Sequence, residues 1–230
     1  MDKLFIVIPA YNEETNIRRT IDEWYPIVEK YNGDGQSRLV IINDGSKDNT
    51  YQILCDCAKT RPLLTPLTKP NGGHGPTLLY GYDYAIKNGA DFIFQTDSDG
   101  QTNPEEFHQF WAARNSYDAV IGQRSVRGDG KSRKFVENIV CLLLRMIFGI
   151  RVSDANAPFR LMKANQTAEF VKKMPADFNL PNIMLTTYFV YYKKHVKFRF
   201  NAEETEKSSI RKSSEICGID RETLQNRKKV

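Results

Sequence analysis

Short apolar runs, each closed by a tight polar turn and each followed by a stretch of helical periodicity, limit this chain more than any other feature. Residues 4–8 form such a run, ended by Pro9; then Ile17, Ile21, Trp24 and Val28 recur at helical spacing over residues 14–30. A second run at 39–42 ends in Asn43-Asp44-Gly45-Ser46 and leads into a helix at 50–59, which Asp48 or Asn49 is placed to cap. A weaker strand at 63–67 precedes a glycine-rich turn at 71–75 and a helix running to about residue 88. Strand 91–96, helix 104–114 and strand 118–122 complete the pattern. Apolar strands alternating with helices predict a mostly parallel, Rossmann-like α/β sheet covered by helices on both faces.

Tight polar turns follow four strands, at residues 9–13, 43–46, 97–101 and 123–127. In an open α/β sheet the carboxyl ends of the strands form the ligand crevice, so four such turns on one edge predict a site. From about Lys131 the chain becomes helix-rich and more basic, with a strand expected near 196–200. We therefore read 1–230 as a single domain, with a site-bearing half at 1–127 and a more basic, helix-rich half at 128–230. With 40% hydrophobic and 27% charged residues, the composition is that of a soluble globular protein. No apolar stretch approaches the roughly 18 residues of a membrane span. Residues 139–150 are dense in large apolar side chains, and predict a buried core helix or, alternatively, an interfacial helix touching anionic lipid. Met1-Asp2-Lys3-Leu4 begins no signal-type segment, and the four cysteines lack zinc spacing, so reduced thiols in the cytoplasm or at the cytoplasmic membrane surface are expected. Net charge is +5, but residues 122–151 carry seven basic against two acidic groups and residues 193–230 eleven against six. Such clustering suits an anionic partner. Nucleic acid is not expected, because no recognition helix or aromatic platform is evident.

The sharpest chemical constellation is Asp97-Ser98-Asp99-Gly100-Gln101, directly after a predicted strand. Two carboxylates two residues apart reach one hard divalent cation, Mg²⁺ or Mn²⁺, if the backbone kinks between them; Gln101 adds a neutral oxygen. One-sided ligation leaves positions for substrate phosphate oxygens. The competing reading is an Asx-rich turn that caps the helix at Pro104. Asn71-Gly72-Gly73-His74-Gly75 opens a helix, where backbone N–H groups favour anions, though a plain turn explains it equally. Arg124, Arg127, Lys131 and Arg133 are placed to clamp a diphosphate or to form a solvated basic loop, and Asp154 is either a carboxylate base or an ordinary loop aspartate.

In order and spacing, Ile6-Val7-Ile8-Pro9-Ala10-Tyr11-Asn12-Glu13-Glu14, Asn43-Asp44-Gly45-Ser46-Lys47-Asp48-Asn49-Thr50 and Asp97-Ser98-Asp99 resemble a family 2 glycosyltransferase of the GT-A fold. Within that family the chain is most similar to the dolichyl- or polyprenyl-phosphate sugar synthase branch, through Gln101, Gly122-Gln123-Arg124 and the Asp154-to-Arg160 element. The resemblance implies an inverting, metal-dependent transfer from a UDP- or GDP-linked sugar to a lipid phosphate or glycan, with contact at the membrane surface. It places Pro9, Ala10, Tyr11 and Glu13 around the base and ribose and Asp44 on one of them. Gly72 and Ser98 join that nucleotide pocket. Asp97, Asp99 and Gln101 would hold Mg²⁺ or Mn²⁺, Arg124 would sit by the phosphates, and Asp154 would lie near the acceptor. Two departures stand out. Pro158 replaces a usual glycine, which fixes φ and excludes a left-handed turn. Residues 203–209 replace the branch's C-terminal Arg and Gly-x-Ser, leaving Lys207, Arg211 or Lys212 as substitutes. The rival readings are a sugar nucleotidyltransferase, which would want a glycine-rich basic loop after the first strand, and an inactive binding or membrane-surface module.

Overall fold

β1 (Leu4–Ala10) is buried along its whole length and divides the molecule in two. Its alternating side chains go to different cores. Leu4, Ile6 and Ile8 pack with Ile17, Ile21 and Trp24 of α1 (Ile17–Lys30), while Phe5 and Val7 pack with Leu78, Tyr82 and Ala85 of α3 (His74–Lys87). A strand apolar on both faces belongs in the middle of a helix-covered parallel sheet. The computed structural model describes residues 2–33, 35–100, 102–123, 130–152 and 154–200, the side chains of 123, 130–137 and 199–200 excepted.

The seven strands follow the order β3-β2-β1-β4-β6-β5-β7. β2 (Arg38–Asp44) and β3 (Leu64–Lys69) extend the sheet outward from β1, all parallel, with α2 (Thr50–Ala58) between them. From β3 the chain crosses through α3 on the opposite face to β4 (Phe92–Gln95), which lies parallel to β1 on its other side. The strand order therefore reverses between β1 and β4, and the crevice at such a switch point is where α/β sheets bind ligands. α3 lies so close to the sheet that a Cβ on Gly81 would meet Val7 Cγ1 at 2.6 Å and Ile42 Cδ1 at 2.8 Å.

Beyond β4 come a 3-10 turn (Pro104–Glu106), α4 (Phe107–Ala113), β5 (Ala119–Gln123) and α5 (Gly130–Phe148). β6 (Arg160–Lys163) then inserts antiparallel between β4 and β5. α6 (Ala164–Val171) and α7 (Pro181–Tyr191) cover the α3 face, and β7 (Val196–Phe200) runs parallel to β5.

The mostly parallel sheet with helices on both faces is as expected, and four details differ. α1 begins at Ile17, because the Asn16 and Ile17 N–H groups already close a turn on Glu13 O at 2.9 and 2.7 Å. The helix expected at 104–114 divides into the 3-10 turn and α4, and Asn103 Oδ1 accepts the Glu105 N–H at 3.0 Å. β6 is a strand that periodicity did not signal. The apolar segment at 139–150 is not simply a core helix: Leu144 is buried, but Ile139, Leu142, Leu143, Met146 and Ile147 are 40–69% exposed. At the start of α2 it is Asp48 that accepts the Thr50 N–H, at 3.0 Å, while Asn49 makes no capping bond. Cys55 and Cys57 are free thiols. No helix among the described residues is long and apolar enough to cross a membrane.

Candidate active site

The turns after β1 and β2 are built into each other. Asn12 takes a positive φ of 54°. Its N–H donates to Ser46 Oγ at 2.9 Å, and its Oδ1 accepts the Lys47 N–H at 2.8 Å. The Glu13 N–H donates to Thr50 Oγ1 at 2.8 Å. Gly45 has φ +65°, and a Cβ there would stand 2.6 Å from Asn71 N, so only glycine lets the turn after β3 approach. These turns close a cavity of about 300 Å³ at the carboxyl edge of the sheet. Pro9, Ala10 and Tyr11 from the end of β1 line it with Asp44 and with Asn71, Gly73, His74 and Thr77.

Asp44 is nearly buried, and its carboxylate is held from three directions. Lys69 Nζ forms an ion pair with Oδ1, the Gly72 N–H donates to Oδ1 at 3.0 Å, and the Gly73 N–H donates to Oδ2 at 2.9 Å. Burial pushes this carboxyl up, but the Lys69 bond, the Gly72 N–H and Thr77 outweigh it and hold the group below the usual carboxylate range. The glycine turn thus spends two N–H groups on a carboxylate of its own chain. Gly72, expected in the nucleotide pocket, donates its N–H to Asp44 Oδ1. Glu13, also expected in the pocket, does not line the cavity; its Oε2 accepts from Asn16 Nδ2 at 2.9 Å.

The acidic pair emerges beside this cavity. Val7 is in register with Gln95, and the Thr96 N–H donates to Val7 O at 3.3 Å, so residues after β4 leave the sheet next to the β1 turn. Ser98 is buried, with its carbonyl accepting from Thr20 Oγ1 at 3.0 Å. Asp97 is half-buried and Asp99 exposed. At Pro104 the capping bond comes from Asn103, whose Oδ1 accepts the Glu105 N–H. Two hard carboxylates on either side of an inward serine suit a hard divalent ion with phosphate oxygens completing its shell. Among the described residues no cluster of three or more His, Cys, Asp or Glu forms. Gln101 and Arg124 lie outside the described residues.

The turn before β6 is held from beneath. Arg160 is wholly buried. Its Nε donates to Ala157 O at 2.8 Å, Nη2 donates to the same carbonyl, and Nη1 donates to Asn182 O at 3.0 Å. Thr186 Oγ1 donates to Ala155 O at 2.9 Å. Asp154, 2% exposed, accepts the Asn156 N–H at 3.0 Å. Desolvation lowers the Arg160 pKa, and Tyr82, Asp154 and Asp97 act against that shift. Burial pushes the Tyr82 phenol up, and its hydroxyl donates to Gln95 Oε1. Sequence reasoning missed Lys69, Tyr82, Gln95 and the role of Arg160. Only a polar residue inside an apolar strand, Gln95, signalled any of them.

Comparisons with known proteins bear on the family and the fold. The family model described as Glycosyl transferase family 2 matches residues 5–162. An uncharacterised glycosyltransferase of Synechocystis is 30% identical over 182 residues, covering 75% of this chain and 54% of that protein. An undecaprenyl-phosphate mannosyltransferase of Micrococcus luteus is 27% identical over 170 residues, 71% of this chain and 67% of the relative. The chain thus spans about half to two thirds of the length of these relatives. Among solved structures, glucosyl-3-phosphoglycerate synthase from Mycobacterium tuberculosis, in complex with Mn²⁺, UDP-glucose and phosphoglyceric acid, superposes with a TM-score of 0.63. It is 18% identical, and the match covers 86% of this chain and 69% of that one, which establishes the shared GT-A fold.

Proposed function

Because the chain belongs to glycosyl transferase family 2, we propose that it transfers a sugar from a UDP- or GDP-linked donor to a polyprenyl phosphate, with inversion at the anomeric carbon. One observation carries this reading: the 300 Å³ cavity and the Asp97–Asp99 pair share the carboxyl edge at the β1/β4 switch point. The relatives named for undecaprenyl-phosphate transfer support the lipid acceptor. A glycan acceptor would need a base to take its hydroxyl proton, whereas a phosphate oxygen is already anionic.

In this reading Pro9, Ala10 and Tyr11 embrace the nucleoside, with Asp44 at its base. Asp97 and Asp99 are the residues that would hold Mg²⁺ or Mn²⁺, joined by Gln101. When bound, such an ion supplies positive charge against the diphosphate. Arg124 is assigned to the same phosphates, and Ser98 fixes the loop between the two carboxylates. An acceptor oxygen attacks the anomeric carbon in line as the bond to the diphosphate breaks, and the nucleoside diphosphate departs. Charge grows on the leaving group, so pre-positioned cationic groups act where they are worth most. Asp154 sits in the turn that faces the acceptor side, and Arg160 positions that turn by holding its carbonyls.

The exposed stripe on α5 supports work at a membrane surface. Ile139, Leu142, Leu143, Met146 and Ile147 recur at helical spacing, and the surrounding segment is basic. The deciding experiment incubates the protein with labelled UDP- and GDP-sugars, Mn²⁺ and a short polyprenyl phosphate in detergent. Formation of a glycosyl polyprenyl phosphate is expected. Neither transfer nor donor hydrolysis with any donor would leave only a binding module.

A further inference from the structure

α1 buries a threonine among its apolar side chains. Thr20 falls on the same stripe as Ile17, Ile21 and Trp24, and it is 1% exposed. A hydroxyl in such a place is costly unless it is hydrogen-bonded. It has a single hydrogen to donate, and two carbonyls lie within reach, Ser98 O at 3.0 Å and Asn16 O at 3.2 Å. Asn16 O already accepts the Thr20 N–H at 3.0 Å, so the hydroxyl hydrogen goes to the nearer carbonyl, that of Ser98. The bond ties the first turns of α1 to the middle of the acidic loop.

That loop is tied at its base as well, where the hydroxyls of Thr96 and Thr102 share a hydrogen bond at 2.9 Å. Because the peptide unit is planar, holding Ser98 O also fixes the direction in which the chain enters Asp99. Gly100 follows with φ +69°, and Arg19 of α1 lies against it: a Cβ there would stand 3.8 Å from Arg19 Cζ. Arg19 is itself held by Glu23 Oε1 at 2.7 Å. α1 is in turn joined to the cavity wall, because the Asn16 and Ile17 N–H groups close on Glu13 O, just past Tyr11. We propose that Thr20 is a positioning residue for the Asp97–Asp99 pair: its hydroxyl pins the Ser98 carbonyl between them, so that the two carboxylates are held to share one divalent cation. The inference rests on the reading of that pair as the metal site, and adds the group that sets its geometry.

Mn²⁺ binding to the full chain tests it, followed by EPR through loss of the free aquo-ion signal, with UDP or GDP present, whichever the chain binds. Thr20→Val keeps the shape and removes the hydroxyl. It is expected to weaken Mn²⁺ binding by about ten- to a hundredfold, the range for groups that orient a metal ligand. Thr20→Ala is expected to do the same, whereas Thr20→Ser, which keeps the donor, retains the affinity of the unaltered chain. Nucleotide affinity in EDTA is expected to be equal in all of these proteins; a fall there as large as the fall in Mn²⁺ affinity would reduce Thr20 to packing and overturn the inference. Unchanged Mn²⁺ affinity in a folded variant without the hydroxyl, or a loss in Thr20→Ser as large as in Thr20→Val, also overturns it and leaves the metal reading intact. No Mn²⁺ binding by the unaltered chain overturns that reading together with the inference.

Discussion

Asp44 shows how one residue ties the turn after β3 to the end of β2. Its folded pKa is depressed, because Lys69 and two backbone N–H groups favour the ionised form by more than burial opposes it. A depressed carboxyl contributes stability that is fully present above the unfolded value, about 4, and is lost as pH falls through the lower folded value. Asp44→Asn removes the charge but keeps the shape. We expect the variant to be less stable by about 1.5–3 kcal/mol near neutral pH, the range for hydrogen bonds to charged groups. Denaturant unfolding of both proteins from pH 7 to pH 2.5 should show that gap constant down to about pH 4 and shrinking below it. A gap that widens with acid would contradict the assignment. Little of this arrangement was legible in the sequence. Asp44 stood out by its turn, but Lys69 is 25 positions away and meets it only because β2 and β3 are paired in register.

At the scale of elements, α5 carries the main revision. Its apolar density reads as core, and one face does pack: Leu144 is buried with Ile150 and Ala155, against Ile183 and Val190. The five exposed side chains occupy the opposite stripe, which density alone does not separate from the packed one. Spacing would have, since 139, 142, 143, 146 and 147 repeat at helical intervals. A stripe of that size beside exposed Arg145 and Arg151 suits an anionic bilayer. Met146→Glu with Ile147→Glu is expected to reduce co-sedimentation with phosphatidylcholine–phosphatidylglycerol vesicles by about tenfold, while stability stays within about 0.5 kcal/mol per surface change. Unaltered sedimentation would remove the membrane role. β6 escaped the sequence reading for a different reason. It is four residues long, and its first residue is a buried arginine whose hydrogen bonds run to α7 and to the turn before it.

Across the whole molecule, the sheet was legible because the central strands are apolar on both faces and their turns are polar. β1, β2 and β4 lie within a few residues of their expected bounds. The site was legible as an edge, from the polar turns, but not as a network. Tyr82–Gln95 and the Arg160 clamp beneath the turn before β6 join residues that only tertiary packing brings together. The central claim is that Asp97 and Asp99, at the rim of the sheet, hold a divalent cation against the donor's diphosphate. Titrating UDP into the protein with Mn²⁺ and again in EDTA, for the unaltered chain and for Asp99→Ala, tests it most directly. The account predicts that Mn²⁺ tightens UDP binding by about tenfold or more, some 1.4 kcal/mol, and that Asp99→Ala loses that gain. Equal affinity in Mn²⁺ and EDTA, or a gain that survives Asp99→Ala, would contradict it.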